Sequence, residues 1–156
     1  LRLEAQLDFL LAGFLNQFAS IAENAAPSFT LDGEQIPTRF ILEGARTAWI
    51  SRSFDRRRIG YMAAFPEHPT REMALNQYKI LFDRISAAQF SAFPLVRDKN
   101  PRRDVFFADR FFAFDMAGDM DPRFKGLTLN LELIRRDVAA KSPEKEAWYC
   151  LITLQN

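Results

Sequence analysis

"DVFFADRFFAFDM", residues 104–116, sets Asp109 and Arg110 inside a run that is otherwise almost solid phenylalanine. In a strand, neighbours point to opposite faces. Phe106, Ala108, Phe112, Phe114 and Met116 then share a face with Arg110, and Val105, Phe107, Phe111 and Ala113 share the other with Asp109. Apolar character on both sides marks a central strand covered on both faces. The alternative is a bulge at Ala108–Asp109 that swaps the faces halfway. Without a bulge the two charges cannot pair with each other, and a lone ion in an apolar layer costs several kcal/mol. Partners exist in Arg52, Arg84 or Arg135 for Asp109, and in Glu132 or Asp83 for Arg110. One reading makes the pair cross-strand ion bridges. A sharper one points Asp109 into the hollow of a curved sheet, among aromatic rings, as a ligand anchor.

The flanks support an extended reading. In "FKGLTLNLELIRRD" (124–137) Leu127, Leu129, Leu131 and Leu133 alternate with Thr128, Asn130 and Glu132, one dry face and one wet. "AWYCLITLQ" (147–155) is the last strand. "AQFSAFPLV" (88–96) is placed at an edge by Pro94, which cannot donate to a ladder. Upstream, "REMALNQYKILFDRIS" follows Thr70 as N-cap, with Glu72 in its first turn and Ala74, Tyr78, Leu81, Phe82 and Ile85 on one side. "TRFILEG" (38–44) and "TAWISRSF" (47–54) form a predicted hairpin, and "IGYMAAF" (59–65) a third strand with Ile59, Tyr61, Ala63 and Phe65 on one face. Residues 24–37 are expected as loop, with Asp32-Gly33 a turn. Residues 1–24 carry apolar residues at helical steps (Leu3, Leu7, Leu10, Leu11, Phe14, Phe18, Ile21), which predicts a helix about 36 Å long.

The order is α-β-β-β-α-β-β-β-β, without repeat or linker. It predicts a single α+β domain over residues 1–156, a curved, mainly antiparallel sheet of about six to seven strands covered on one face by two helices. That order is similar to the cone-shaped nuclear-transport-factor-2-like fold and to the sandwich of the photosystem PsbP and Mog1 proteins. The likeness is one of architecture, with no motif of either family, and fold does not carry function.

Composition narrows the function classes. The 156 residues hold 16 phenylalanines, which implies a bulky core or an apolar pocket or interface beside it. Arginine far outnumbers lysine, yet the net charge is only +1, which argues against nucleic acid. "RSFDRRR" (52–58) and "RDKNPRR" (97–103) are basic clusters. As solvated turns they do nothing; as an anion-binding patch they offer Arg56, Arg57, Arg58, Arg102 and Arg103. "DMAGDMD" (115–121) lacks the calcium-loop pattern. His68, in "PEHPT", reads as a surface residue, and the lone Cys150 as a small buried hydrophobe. No metal or cofactor is implied, and no stretch reaches the ~18–20 apolar residues of a membrane helix. The chain begins at Leu1, as one would from which a signal peptide, lipoprotein anchor or membrane helix had been removed, so cytoplasm and periplasm both stay open.

The expectation is a non-enzymatic binding or protein-interaction domain with a Phe-rich apolar pocket or surface. Its ligand-binding set is Asp109, Arg110, Phe112, Phe114, Tyr61, Tyr78 and Trp49, and it takes an apolar small molecule or a partner protein, a second copy included. One alternative is a small enzyme of the cone-fold type, with Asp109 as acid or base beside Tyr61 or Tyr78. Another is the soluble part of a cell-envelope assembly subunit.

Overall fold

A computed structural model of the chain describes residues 2–88, 90, 95–97, 108–116, 126–136 and 147–156; side chains are described for all of these but 95–97 and 108–116. Two helices and eight strands follow one another as α1 (Leu3–Gly13), β1 (Ser28–Phe29), β2 (Gly33–Pro37), β3 (Thr47–Ser53), β4 (Ile59–Ala64), α2 (Arg71–Ala87), β5 (Leu95–Arg97), β6 (Ala108–Met116), β7 (Thr128–Arg136) and β8 (Ala147–Gln155). The strands form one curved, unclosed antiparallel sheet in the order β1-β2-β3-β4-β8-β7-β6-β5. Two four-stranded meanders therefore meet where β4 pairs with β8, and α2 carries the chain from the first to the far edge of the second.

The core lies between the helices and one face of this sheet. Ile50, Tyr61, Leu154 and Leu129 make one row across four strands, and Ala48, Ala63, Ile152 and Leu131 the next. All eight are buried. Leu3, Leu7, Leu10 and Leu11 of α1 and Ala74, Tyr78, Leu81 and Ile85 of α2 close over them. Arg84 ties the helices together, meeting the Glu4 carboxylate through two nitrogens at 2.8 and 3.0 Å. At its start α2 behaves as its sequence predicts: the Thr70 side chain accepts from Met73 N–H.

Three expectations need correction. The first helix is 11 residues, about 16 Å, and not 24. A 3-10 turn (Phe14–Asn16) follows it, then Gln17 and Phe18, both at φ 57°. Left-handed backbone costs a non-glycine residue roughly 1–2 kcal/mol. Complete burial of Phe18 against Phe14 and Tyr61 is worth a similar amount, so tertiary packing overrides the helical pattern.

Second, residues 38–44 are not a strand. β3 pairs instead with Gly33–Pro37, a stretch expected as loop, and β1 adds an eighth strand, so the order is α-β-β-β-β-α-β-β-β-β. Residues 38–44 pack as irregular chain, with Leu42 buried and Phe40 stacked on Phe9 at 5.2 Å. Side chains supply the hydrogen bonds a ladder would give. Tyr61 donates its hydroxyl to Phe40 O (2.6 Å), the Gln6 amide donates to Ile41 O (3.0 Å) and accepts from Glu43 N–H (2.7 Å), and Thr38 donates to Ile21 O (2.6 Å).

Third, β6 follows the bulged alternative. Ala108 pairs with Ile134 and Arg110 with Leu133, so Asp109 is the extra residue. Arg110, Phe112 and Phe114 occupy register positions opposite Leu133, Leu131 and Leu129. Of the partners expected for Asp109, Arg84 is held by Glu4 and Arg52 by Glu34, its Nε 2.7 Å from Oε1. β5 is an edge strand, as expected of residues 88–96, though only Leu95–Arg97 of it is described.

Candidate functional site

Of the aromatic residues expected to line one hollow, Trp49 is set apart from Tyr61 and Tyr78. Tyr61 and Tyr78 are sealed in the core under the helices. Burial pushes the Tyr61 phenol well above its ordinary range. Trp49 pairs with Met62 on the opposite face of the sheet. That face carries a buried polar strip, in which Asn130 donates to Thr153 Oγ1 (3.0 Å) and Thr128 Oγ1 (3.2 Å). The side chains of Asp109, Arg110, Phe112 and Phe114, and all of Arg102 and Arg103, lie outside the described residues. On the helix side of the sheet the described residues of the two central rows are buried.

Open space appears elsewhere, at the end of the sheet where the β1–β2 turn, the β3–β4 hairpin and the end of β8 meet. A cleft of about 210 Å³ is lined there by Thr30, Asp32 and Gly33, by Ser51 to Ser53, by Arg58 to Gly60, and by Gln155 and Asn156. Its backbone is drawn tight. A Cβ on Gly33 would sit 2.1 Å from the Arg52 carbonyl oxygen, so only glycine lets β2 start this close to β3. A Cβ on Gly60 would come 2.8 Å from that of Gln155.

Most polar groups of the walls are already engaged. Thr30 Oγ1 accepts from Gly33 N–H (3.1 Å). The Asn156 side chain accepts from Ile59 N–H (2.9 Å) and donates to Arg57 O (3.1 Å). In the hairpin, Ser53 donates its hydroxyl to Asp55 (2.6 Å) and accepts from Arg58 N–H (3.0 Å), while Asp55 also accepts from Arg57 N–H (3.0 Å). The Ser53 hydroxyl first, then that N–H, hold the Asp55 carboxyl below its ordinary range. Arg56 completes the tight turn with φ 61°. Arg56, Arg57 and Arg58 therefore project from a braced hairpin, all three exposed. The Arg52 guanidinium is spent on Glu34. Among the described residues Asp32 and Arg58 form no ion pair, and the Ser51 hydroxyl and Gln155 amide no hydrogen bond.

Beside the cleft lies an apolar platform that sequence reasoning missed. Phe29 and Phe54 stack with centroids 6.4 Å apart and planes 22° apart, yet are 72% and 58% exposed; Leu31, in the turn that follows Phe29, is 99% exposed. A backbone bond from Phe54 N to Asp32 O (3.2 Å) ties the two turns. The available signal was a phenylalanine in each of two turn stretches, "PSFTLDG", where Leu31 joins it, and the otherwise polar "RSFDRRR".

Elsewhere, no three His, Cys, Asp or Glu side chains among the described residues gather as a metal would need. No helix among them is long and apolar enough to cross a membrane. Compared with family models, curated proteins and solved structures, the chain matches none.

Proposed function

We propose that this chain is a non-enzymatic interaction domain whose docking surface is the hairpin end of the sheet. Its partner is a polypeptide segment that combines apolar side chains with carboxylates. The observation carrying this reading is the stacked, exposed pair Phe29–Phe54, with the fully exposed Leu31 two residues on from Phe29 in the same turn. Fully burying a side chain of this kind is worth about 1.5–3 kcal/mol, so covering three of them supplies several kcal/mol to a partner. Arg56 and Arg57 rim the platform on the braced hairpin and give the complementary charge. The anion-binding role expected of this cluster thus becomes rim electrostatics around an apolar centre. An acid–base role for Asp109 finds no support in the buried positions of Tyr61 and Tyr78, and no observation favours the cell-envelope reading.

The test is a random peptide library displayed on phage, panned in parallel on the natural chain and on Phe29→Ser/Phe54→Ser. Both positions are exposed, so the variant should keep its thermal midpoint. The natural chain should enrich peptides with aromatic or aliphatic residues next to Asp or Glu, and synthetic copies should bind the variant at least about tenfold more weakly. Peptides that bind both proteins equally, or no enrichment at all, overturn the reading.

A further inference from the structure

We propose that the neighbouring cleft binds a small zwitterion of about free amino-acid size, its cationic end at Asp32 and its anionic end at Arg58. The cleft is smaller than the roughly 300–1,000 Å³ typical of sites for drug-sized ligands, so its occupant is small. Besides the Arg52 guanidinium, which Glu34 holds, two opposite charges line it on separate turns, and neither of these is paired within the described residues. A lone anion at Arg58 would share the cleft with the Asp32 carboxylate, and a lone cation at Asp32 would meet the Arg58 guanidinium. Only a dipolar molecule turns both charges to its advantage.

The neutral groups agree. Ser51 and Gln155 have a hydroxyl and an amide free to bond a ligand, whereas Thr30, Ser53 and Asn156 are committed to bracing the walls. Those committed groups hold the charged turns in place before any ligand arrives, which lowers the ordering cost of binding. The inference stands apart from the docking surface, because it uses none of Phe29, Leu31 or Phe54.

The experiment is an amide-resolved NMR titration of the whole chain with glycine, β-alanine and γ-aminobutyrate, with acetate and methylammonium as singly charged controls. At least one zwitterion should shift the Gly33 and Gly60 amides and the Gln155 side-chain amide, and bind about tenfold or more tighter than either control. Asp32→Asn and Arg58→Gln should each lower that affinity by about tenfold, while Phe29→Ser/Phe54→Ser leaves it unchanged. The proposal fails if none of the three zwitterions shifts these signals up to roughly 50 mM, or if acetate binds as tightly as they do. It also fails if either charge can be removed without loss. Failure here leaves the peptide-panning result untouched, and the reverse.

Discussion

Replacing Gln6 by leucine tests the least regular part of the fold, the 38–44 connection. Gln6 is 9% exposed and meets that segment twice, at Ile41 O and Glu43 N–H. Leucine is of similar size, so the apolar contact survives and both hydrogen bonds go. A net bond is worth about 0.5–1.5 kcal/mol, and a buried group left without a partner costs about 1–3 kcal/mol. Ile41 and Glu43 are exposed residues that water can reach, which places the loss near 2 kcal/mol. In a domain of this length that lowers Tm by about 4–8 °C. Tyr61→Phe removes the second clamp, the hydroxyl on Phe40 O, at about 1–2 kcal/mol. Both clamps hold one short segment, so releasing either loosens it and devalues the other. The double variant should therefore lose less than the sum, by about 0.5 kcal/mol or more. Urea unfolding followed by circular dichroism measures all four corners of the cycle. A loss below about 0.5 kcal/mol for Gln6→Leu would refute the idea that side chains stand in for a ladder here, and strict additivity would refute the shared segment.

Acid stability should report on the joint between the helices. The Arg84 guanidinium, hydrogen-bonded to Glu4, holds that carboxyl below its ordinary range. A lowered native value stabilises the fold above the unfolded pKa of about 4.5 and loses that contribution as pH falls through the native value. Glu4→Gln should thus destabilise by less than about 1 kcal/mol at neutral pH, since the pair is partly exposed, and should flatten the stability curve below about pH 4.5; parallel curves for the two proteins in that window would count against the pair. Cys150 gives a kinetic check. Burial pushes its thiol up to about 12, and its Sγ donates to Ala74 O at 3.5 Å. An aromatic disulfide reagent at pH 8 should label it only as fast as the whole chain unfolds, and rapid labelling in native buffer would contradict the packing of α2 on β8.

Where a sequence signal and its packing agree, the elements were legible. Thr70 and Glu72 marked the start of α2, and the Leu129–Leu131–Leu133 alternation marked β7. The end of α1 was not, because Phe14 and Phe18 keep helical spacing while the backbone beneath them turns left-handed to seat Phe18 on Tyr61. β2 was hidden by its composition. Gly33 and Pro37 read as loop, yet one is demanded by close approach to Arg52 and the other closes the strand end. The greasier 38–44 stretch took the strand assignment, although its apolar side chains serve α1. The site divided in the same way. Arg56–Arg58 stood out as charge, whereas Asp32, Ser51 and Gln155 are ordinary turn and strand residues until topology gathers them.

That gathering follows from the meander. In consecutive antiparallel strands alternate connections fall at the same end, so the β1–β2 turn and the β3–β4 hairpin must be neighbours, with the 38–46 connection at the other end. β8 runs antiparallel to β4 and pairs Gln155 with Gly60, which brings its last residues to that same end. Three segments more than 20 residues apart in sequence thus converge without any dedicated element. The helix-side rows thin out toward this point: in the row after Ile50–Tyr61, Ile59 is still buried, but Arg52 and Glu34 beside it form an ion pair on the face where apolar side chains stood before. Beyond that row the residues of the two turns are exposed, and their side chains are under no demand to fill an interior. Phenylalanines kept in that position gain little for the isolated fold beyond stacking on each other. Their apolar surface becomes useful only when something else covers it.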